Sequence, residues 1–573
     1  MDSRAMAGKT GNQKIVEQFL ADGMDHMYGN PGTVEQGFLD AVAEYPDMKY
    51  ILTLQESVAL MMADGHARFT QRPTLVQLHS APGIGNAVGA AYQAKRGHAP
   101  LVIIGSDAGT QYMNMDAQMA NDLVGMMRPV TKFSTMALSS KSLLRTLRQA
   151  IKIAGTPPMG PVYVCLPMNI LDEPNDEPVF PTCIPSTRVR PDESLIKETA
   201  QALLAAEKPM MFIGDGVAYS DAIPEMTRVA ELLGAEVYGV EFGDVIMDNT
   251  HPLYQGTTGH MFGSFSKPIT SKGDANLVVG TYMMPEVFPE EGEIYAEGAK
   301  VIHFDLNAYE IAKNHRVDLG VVADPKLSLQ ALADELEATM TDGFRQAAAE
   351  RAQQLGEAKK QKLAADFDKD QQQKGKSPLQ MSQFAEVLAQ KLPSDAIIFD
   401  EALTSSPAIT RYIPPREAGQ YFFTRGGSLG VGFPGAIGLK LANMDKTVIG
   451  FSGDGGSMYT IQALWSATRH KAGAKFVVCN NGSYKLLQMN IDVYWKERDM
   501  KKHDYPLPFD LSYPATRFDL LAQAMGVKAV RVEKEEEIAP AIEQMLADDE
   551  PFLIDLVLEG DHKSDWVQVN CSQ

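Results

Sequence analysis

Residues 447 to 484 read TVIGFSGDGGSMYTIQALWSATRHKAGAKFVVCNNGSY: an apolar run, a Gly-Asp-Gly turn, a helix-length segment and a second apolar run. TVIGFS and KFVVCN have the length and composition of buried strands, and the segment between them has helical length and periodicity. The unit is strand, helix, strand, from which parallel sheets are built. Ligands of such sheets sit at the carboxyl ends of the strands. Asp454 and Asn481 follow the two strands, so a carboxylate and an amide oxygen are expected in one crevice.

Magnesium prefers oxygen ligands and commonly shares them with substrate phosphates. Gly453, Gly455 and Gly456 let the backbone approach a phosphate, and a helix expected to begin near Ser457 offers free N–H groups. Asp454, Asn481 and the main-chain carbonyl of Ser483 form the expected ligand set. The competing reading of an isolated GDG is a tight strand-to-helix turn. The tripeptide recurs in FIGDGVAYSD at 212–221, where the offset linking Asp454 to Asn481 leads from Asp215 to Phe242. Phenylalanine cannot ligate a cation, so a plain turn is expected there.

At 573 residues the chain exceeds a single core, and 45% hydrophobic and 22% charged residues are the composition of a globular protein. No apolar run reaches the roughly 20 residues of a membrane span. The net charge of −21 disfavours nucleic acid. Cys165, Cys183, Cys479 and Cys571 have no metal-binding spacing, so reduced thiols and no zinc are expected. The start MDSRAMAGKTGNQ lacks the pattern of a secretory signal, and a cytoplasmic location is expected.

Apolar runs alternate with amphipathic stretches along nearly the whole chain, which predicts an α/β fold of parallel sheets covered by helices. Two segments break the pattern, a Pro-rich one at 171–191 and a Lys/Gln-rich one at 347–378. Three consecutive parallel-sheet domains are expected at 10–180, 192–345 and 379–573, with 346–378 as a linker that is mostly surface helix.

The GDG-to-NN spacing resembles the cofactor motif of thiamine diphosphate-dependent enzymes of the 2-oxo acid decarboxylase and acetolactate synthase superfamily. The resemblance continues through YGNPGT, LTLQES, LHSAPGIGN, RPVTKF and GGSLGVGFPGAIG, in that family's order of pyrimidine, middle and pyrophosphate domains. Within it the chain looks most like the benzoylformate decarboxylases.

The resemblance implies thiamine diphosphate and Mg2+ as cofactors. Glu56 matches the glutamate that hydrogen-bonds the aminopyrimidine ring; its alternative is a carboxylate stabilising a helix start. Leu429 matches the apolar wedge that bends the cofactor, and the Gly427 carbonyl accepts from the aminopyrimidine. Thr404 and Ser405 match diphosphate contacts or else cap a helix. His79 matches a pocket histidine used in protonation, and Thr33 stands where benzoylformate decarboxylases carry a serine. Tyr484, Tyr494, Trp495, Lys485 and Lys501 line a segment over the site or else belong to a solvated surface. Pyrimidine-side and diphosphate-side residues come from different subunits in this family, which implies a homodimer or homotetramer.

One feature departs from the pattern. A second pocket histidine is expected near 280–292, where the chain carries Met283, Met284, Val287 and Phe288 and no histidine. Non-oxidative decarboxylation of a 2-oxo acid to an aldehyde is the expected reaction. A carboligase or C–C lyase acting on 2-hydroxy ketones is the alternative. The Arg-Phe-Asp-Asp-Arg pattern of acetolactate synthases is absent from this stretch, and IGDGVAYSDA at 213–222 does not supply the GxGxxG of a nicotinamide dehydrogenase.

Overall fold

The computed structural model describes residues 8–241 and 243–560. Phe242 and Cys571 therefore lie outside the described residues. Three six-stranded sheets follow one another along the chain, and their strand pairs are parallel. The first comprises β1 (His26–Gly29), β2 (Lys49–Leu52), β3 (Thr74–Leu78), β4 (Leu101–Asp107), β5 (Phe133–Met136) and β6 (Val162–Pro167). The second comprises β7 (Pro209–Ile213), β8 (Glu236–Gly239), β9 (Tyr254–Thr257), β10 (Ala275–Val279), β11 (Lys300–Asp305) and β12 (Leu319–Val322). The third comprises β13 (Ile397–Glu401), β14 (Tyr421–Phe423), β15 (Val448–Gly453), β16 (Lys475–Asn480), β17 (Lys528–Val532) and β18 (Phe552–Val557). Central strands such as β3, β4, β7 and β10 are buried along their whole length, because helices cover both faces.

The first sheet runs β2-β1-β3-β4-β6-β5 and the third β14-β13-β15-β16-β18-β17, so the third repeats the first strand for strand. The middle sheet runs β12-β11-β10-β7-β8-β9, the order of the Rossmann fold. Winding reverses between β1 and β3, between β7 and β10, and between β13 and β15. Each reversal opens a crevice at the strand ends where a ligand can enter.

In the middle sheet the GDG turn and the loop after β10 meet backbone to backbone at that reversal. Gly216 N donates to Gly280 O at 2.9 Å, and a Cβ on Gly216 would overlap the Gly280 main chain. Asp215 is ion-paired with Arg425 at 2.5 Å and accepts from Asp244 N at 3.0 Å. The first GDG is thus a turn locked into a domain junction, as its sequence context predicts.

The first and third sheets share a core that includes Val58, Ala63, Val76, Phe399, Phe433 and Val478. Its centre is the contact of helix Glu56–Thr70 with helix Gly432–Ala442. A Cβ on Gly65 would overlap the Gly435 carbonyl, and one on Gly438 would overlap that of Met62, so glycine sets the distance between these helices. Arg68 joins all three sheets, donating to Asp244 Oδ1 at 2.5 Å and Phe423 O at 2.9 Å. The Lys/Gln-rich stretch lies in a 30-residue helix, Asp342–Gln371. Its Lys359 Nζ donates to the carbonyls of Asn249, His251 and Tyr254. Among the described residues no helix is long and apolar enough to cross a membrane, Cys165 and Cys479 are buried, and Cys183 is exposed.

Candidate active site

In the third sheet a short helix, Asp454–Thr460, begins at Asp454 itself, three residues before the position expected from sequence. Gly453 takes extended cap geometry, and Asp454 Oδ1 accepts the Gly455 N–H at 2.8 Å, which starts the helix early. Asp454 Oδ2 accepts the Gly482 N–H at 2.7 Å, so one carboxylate joins the GDG turn to the turn after β16. There Asn481 Oδ1 accepts from Ser483 N at 3.0 Å. Burial pushes the Asp454 carboxyl up to about 6, against the pull of the Gly455 and Gly482 N–H groups.

A Cβ on Gly455 would overlap the Tyr484 ring, and Ser457 Oγ donates to Gly453 O at 2.7 Å. Thr404 and Ser405 occupy the 3-10 turn after β13. With Asn481, Lys485, Gln380 and Ser382 they line a cavity of about 450 Å³. Hydroxyls, amides and an ammonium are donors suited to a diphosphate, and Asp454 beside them supplies the oxygen a hard cation prefers. Among the described residues no group of three His, Cys, Asp or Glu converges on a possible metal, so any ligand set here has to be mixed. Leu429 is half-buried, and Gly427 has φ +68° with open space where a Cβ would stand.

The first sheet gathers the remaining predicted residues at the ends of β1, β2 and β3. Glu56 heads its helix, but capping is done by Gln55, whose side chain accepts from Ser57 N at 2.6 Å and Val58 N at 3.2 Å. The buried Glu56 carboxylate instead accepts from Asn86 Nδ2 at 3.0 Å. A Cβ on Gly83 would stand 2.7 Å from Glu56 Oε1 and 3.1 Å from His79 Cβ, so the two side chains flank the space that glycine leaves.

His79 Nδ1 is 2.8 Å from Glu35 Oε2, and a Cβ on Gly32 would overlap the His79 ring. Burial pushes the Glu35 carboxyl up, opposed by its bond to His79. Thr33, exposed, begins the 3-10 turn that ends at Glu35. Glu35 and Asn86 were not legible as site residues. Glu35 lies two residues beyond GNPGT and Asn86 ends LHSAPGIGN, but neither position says where the side chain turns.

The 280–292 stretch buries Met283 and Met284 and exposes Val287 and Phe288. Phe288 stacks on Phe262 with ring centroids 5.3 Å apart. With Leu487, Asn490, Ile491 and Tyr494 these rings line a cavity of about 540 Å³ against helix Lys485–Glu497. Trp495 turns inward and stacks on Tyr505 at 5.9 Å, while Tyr494 stays exposed. The buried lysine of this segment is Lys502, 3.1 Å from Asp492 Oδ2, and Lys501 is exposed.

The predicted site residues thus stand at strand ends of the first and third of three parallel sheets. Three family profiles match in order: the thiamine pyrophosphate enzyme N-terminal TPP binding domain at residues 9–126, the central domain at 196–332 and the C-terminal TPP binding domain at 404–556. The chain belongs to the thiamine pyrophosphate enzymes. It is 29% identical to a benzoylformate decarboxylase of Pseudomonas aeruginosa over 96% of this chain and 98% of that one. It is 26% identical to the acetolactate synthase large subunit of Lactococcus lactis, over 96% and 92% of the two chains. Among solved structures it is similar to a thiamine diphosphate-dependent 4-hydroxybenzoylformate decarboxylase of Rhodococcus jostii, with a TM-score of 0.82, 26% identity, and coverage of 97% and 100%. A thiamin diphosphate-dependent enzyme of Mycobacterium smegmatis has the same TM-score, 0.82, at 26% identity, with coverage of 96% and 100%. A thiamine pyrophosphate-dependent carboxy-lyase or carboligase is the enzyme class these relatives define.

Proposed function

We propose that the chain is a thiamine diphosphate- and magnesium-dependent decarboxylase that converts a 2-oxo acid to an aldehyde. The observation that carries this reading is the Glu56–Gly83–His79 arrangement in one crevice, complementing the Asp454–Gly482 bridge in the other. Bound thiamine diphosphate supplies a nucleophilic ring carbon and an electron sink.

Asp454, Asn481 and the Ser483 carbonyl hold the magnesium. Gly453, Gly455, Gly456, Ser457, Thr404, Ser405 and Tyr484 surround the diphosphate, and Leu429 with the Gly427 carbonyl orients the rings. Glu56 Oε1 holds the proton shared with the aminopyrimidine, in surroundings where burial strengthens that bond. His79, with Nδ1 occupied by Glu35, keeps Nε2 for proton transfer to or from the substrate, and Thr33 offers a hydroxyl to the same substrate.

The two crevices complete one another between two copies of the chain, in a homodimer or a dimer of dimers located in the cytoplasm. Leu54, two residues before Glu56, and Met458 and Tyr459, on the GDG helix, are large exposed apolar side chains that support a covered face there.

A carboligase or C–C lyase for 2-hydroxy ketones is the second reading. It is favoured by the methionines and Phe288 standing where a second protonating histidine is expected. The test is carbon dioxide release from aromatic, branched and short 2-oxo acids in the presence of thiamine diphosphate and magnesium. Release from at least one class supports the decarboxylase; no release, together with cleavage of an acyloin, supports the second reading.

A further inference from the structure

Two adjacent acids end β13, and both are buried. Asp400 accepts from Ala402 N at 2.8 Å, Ser406 Oγ at 2.8 Å and Tyr421 OH at 2.6 Å, which braces the turn that carries Thr404 and Ser405. Glu401 turns the other way. Its Oε1 accepts from Gly430 N at 2.5 Å, and its Oε2 accepts from Gly432 N at 2.6 Å and Ser452 Oγ at 3.2 Å.

We propose that Glu401 is a positioning residue for the ring end of the cofactor: it fixes the glycine-rich loop 426–432, and with it Gly427 and Leu429, against the strand that leads to Asp454. This deepens the reading of the site given above and rests on Gly427 and Leu429 meeting the cofactor rings.

Three features carry the proposal. Glu401 is 1% exposed, and its two oxygens are met by Gly430 N, Gly432 N and Ser452 Oγ. The two glycine bonds are at the short, charge-assisted end of the range. Burial pushes the carboxyl up to about 7, against the pull of these three donors.

The second feature is the fit of glycine around the carboxylate. A Cβ on Gly432 would stand 3.0 Å from Glu401 Oε2, and one on Gly456, in the GDGG turn, 2.8 Å from Oε1. Gly430 has φ +91° and accepts from Thr460 Oγ1 at 2.5 Å. One carboxylate therefore touches the ring-side loop and the first turn of the diphosphate-side helix together.

The third is how lightly the loop's tip is held: Ser428 O accepts from Thr424 Oγ1 at 3.2 Å and Ser428 N donates to Arg425 O at 3.4 Å, both longer than the Glu401 bonds to glycine. Nothing lies within 4 Å of a Cβ built on Gly427, and Leu429 is only half-buried. The firmer anchor for Gly427 and Leu429 is therefore the pair of Glu401 bonds at Gly430 and Gly432. The pair Asp400 and Glu401 divides the work, one acid to each cofactor loop.

The test uses calorimetric titration of the full-length protein with thiamine diphosphate plus magnesium and, separately, with inorganic pyrophosphate plus magnesium, which lacks the rings. Glu401→Gln turns an amide N–H against a backbone N–H, and thiamine diphosphate affinity is expected to fall about tenfold or more while pyrophosphate affinity changes less than about twofold. Equal loss for both ligands, or no loss for either, overturns the proposal. Ser452→Ala keeps both glycine bonds and covers the case in which Glu401→Gln does not fold; a selective loss of about threefold for thiamine diphosphate is expected, and an unselective or absent loss overturns the proposal. Wild-type protein that binds neither ligand overturns the cofactor reading and this inference with it. Normal wild-type binding with an unselective Glu401→Gln overturns this inference alone.

Discussion

Asp215 and Arg425 form a buried ion pair at 2.5 Å that ties the middle sheet to the third, while Asp454, in the same tripeptide, is held by the N–H groups of Gly455 and Gly482. Identical local sequence thus serves two ends. One aspartate is neutralised by the fold, and the other is the cation ligand of the proposed reading.

Removing one partner of a buried pair leaves the other charge uncompensated, which costs about 3–5 kcal/mol. Asp215→Ala is therefore expected to lower the melting temperature clearly and to leave magnesium-dependent thiamine diphosphate affinity within about twofold. Asp454→Ala is expected to do the reverse, abolishing that affinity with a smaller thermal effect. Calorimetry and thermal melts on the two variants check this; matching behaviour would refute the division of roles.

The bond between His79 and Glu35 fixes which ring nitrogen faces the pocket. Glu35→Gln is expected to lower kcat about tenfold with cofactor affinity unchanged. Nitrogen NMR of histidine-labelled protein is expected to show a mixture of His79 tautomers where the wild type shows one. A single unchanged tautomer in the variant would remove Glu35 from the account.

The cofactor-free protein has a defined pH signature. Burial pushes Asp64 and Asp454 up to about 6 and Asp305 and Glu401 up to about 7. Between the unfolded carboxylate value, about 4, and these folded values the native state binds more protons, so stability falls as pH rises. Acidification from about pH 7.5 to 6.5 is expected to raise the melting temperature. Below that, His66 and His303, pushed down to about 4 by burial, act in the opposite sense, because the unfolded chain takes up their protons first. Scanning calorimetry is expected to find a higher melting temperature at about pH 6.5 than at about pH 7.5; a steady rise toward about pH 8 would contradict it.

What was legible in the sequence was periodicity and spacing. The alternation of apolar runs gave parallel sheets, and the offset from Asp454 to Asn481 gave two neighbouring strand ends joined by a real hydrogen-bonded bridge. Long-range direction of side chains was not legible. Glu401 and Asp400 sit in a strand whose five residues are all buried, so no alternation distinguishes an acid aimed at a loop from one aimed at a tyrosine. Lys502 replaces Lys501 as the inward lysine because Trp495 and Tyr505 stack and fold the chain back on its helix, a contact with no local signature. The locking of the middle GDG turn depends on Arg425, 210 residues from Asp215, and such pairings are set only when the sheets dock.

The account's central claim is that Glu56 and Asp454 act in one site built from two copies of the chain. Glu56→Gln and Asp454→Ala are each expected to lose carbon dioxide release at least about 100-fold. Co-refolded in equal amounts, the two variants form mixed dimers in which one site carries both changes and the other neither, and about a quarter of wild-type activity is expected to return. Recovered activity of that size is the result the account predicts. Mixed dimers that form, as shown by differently tagged subunits, yet stay as inactive as their parents would contradict it.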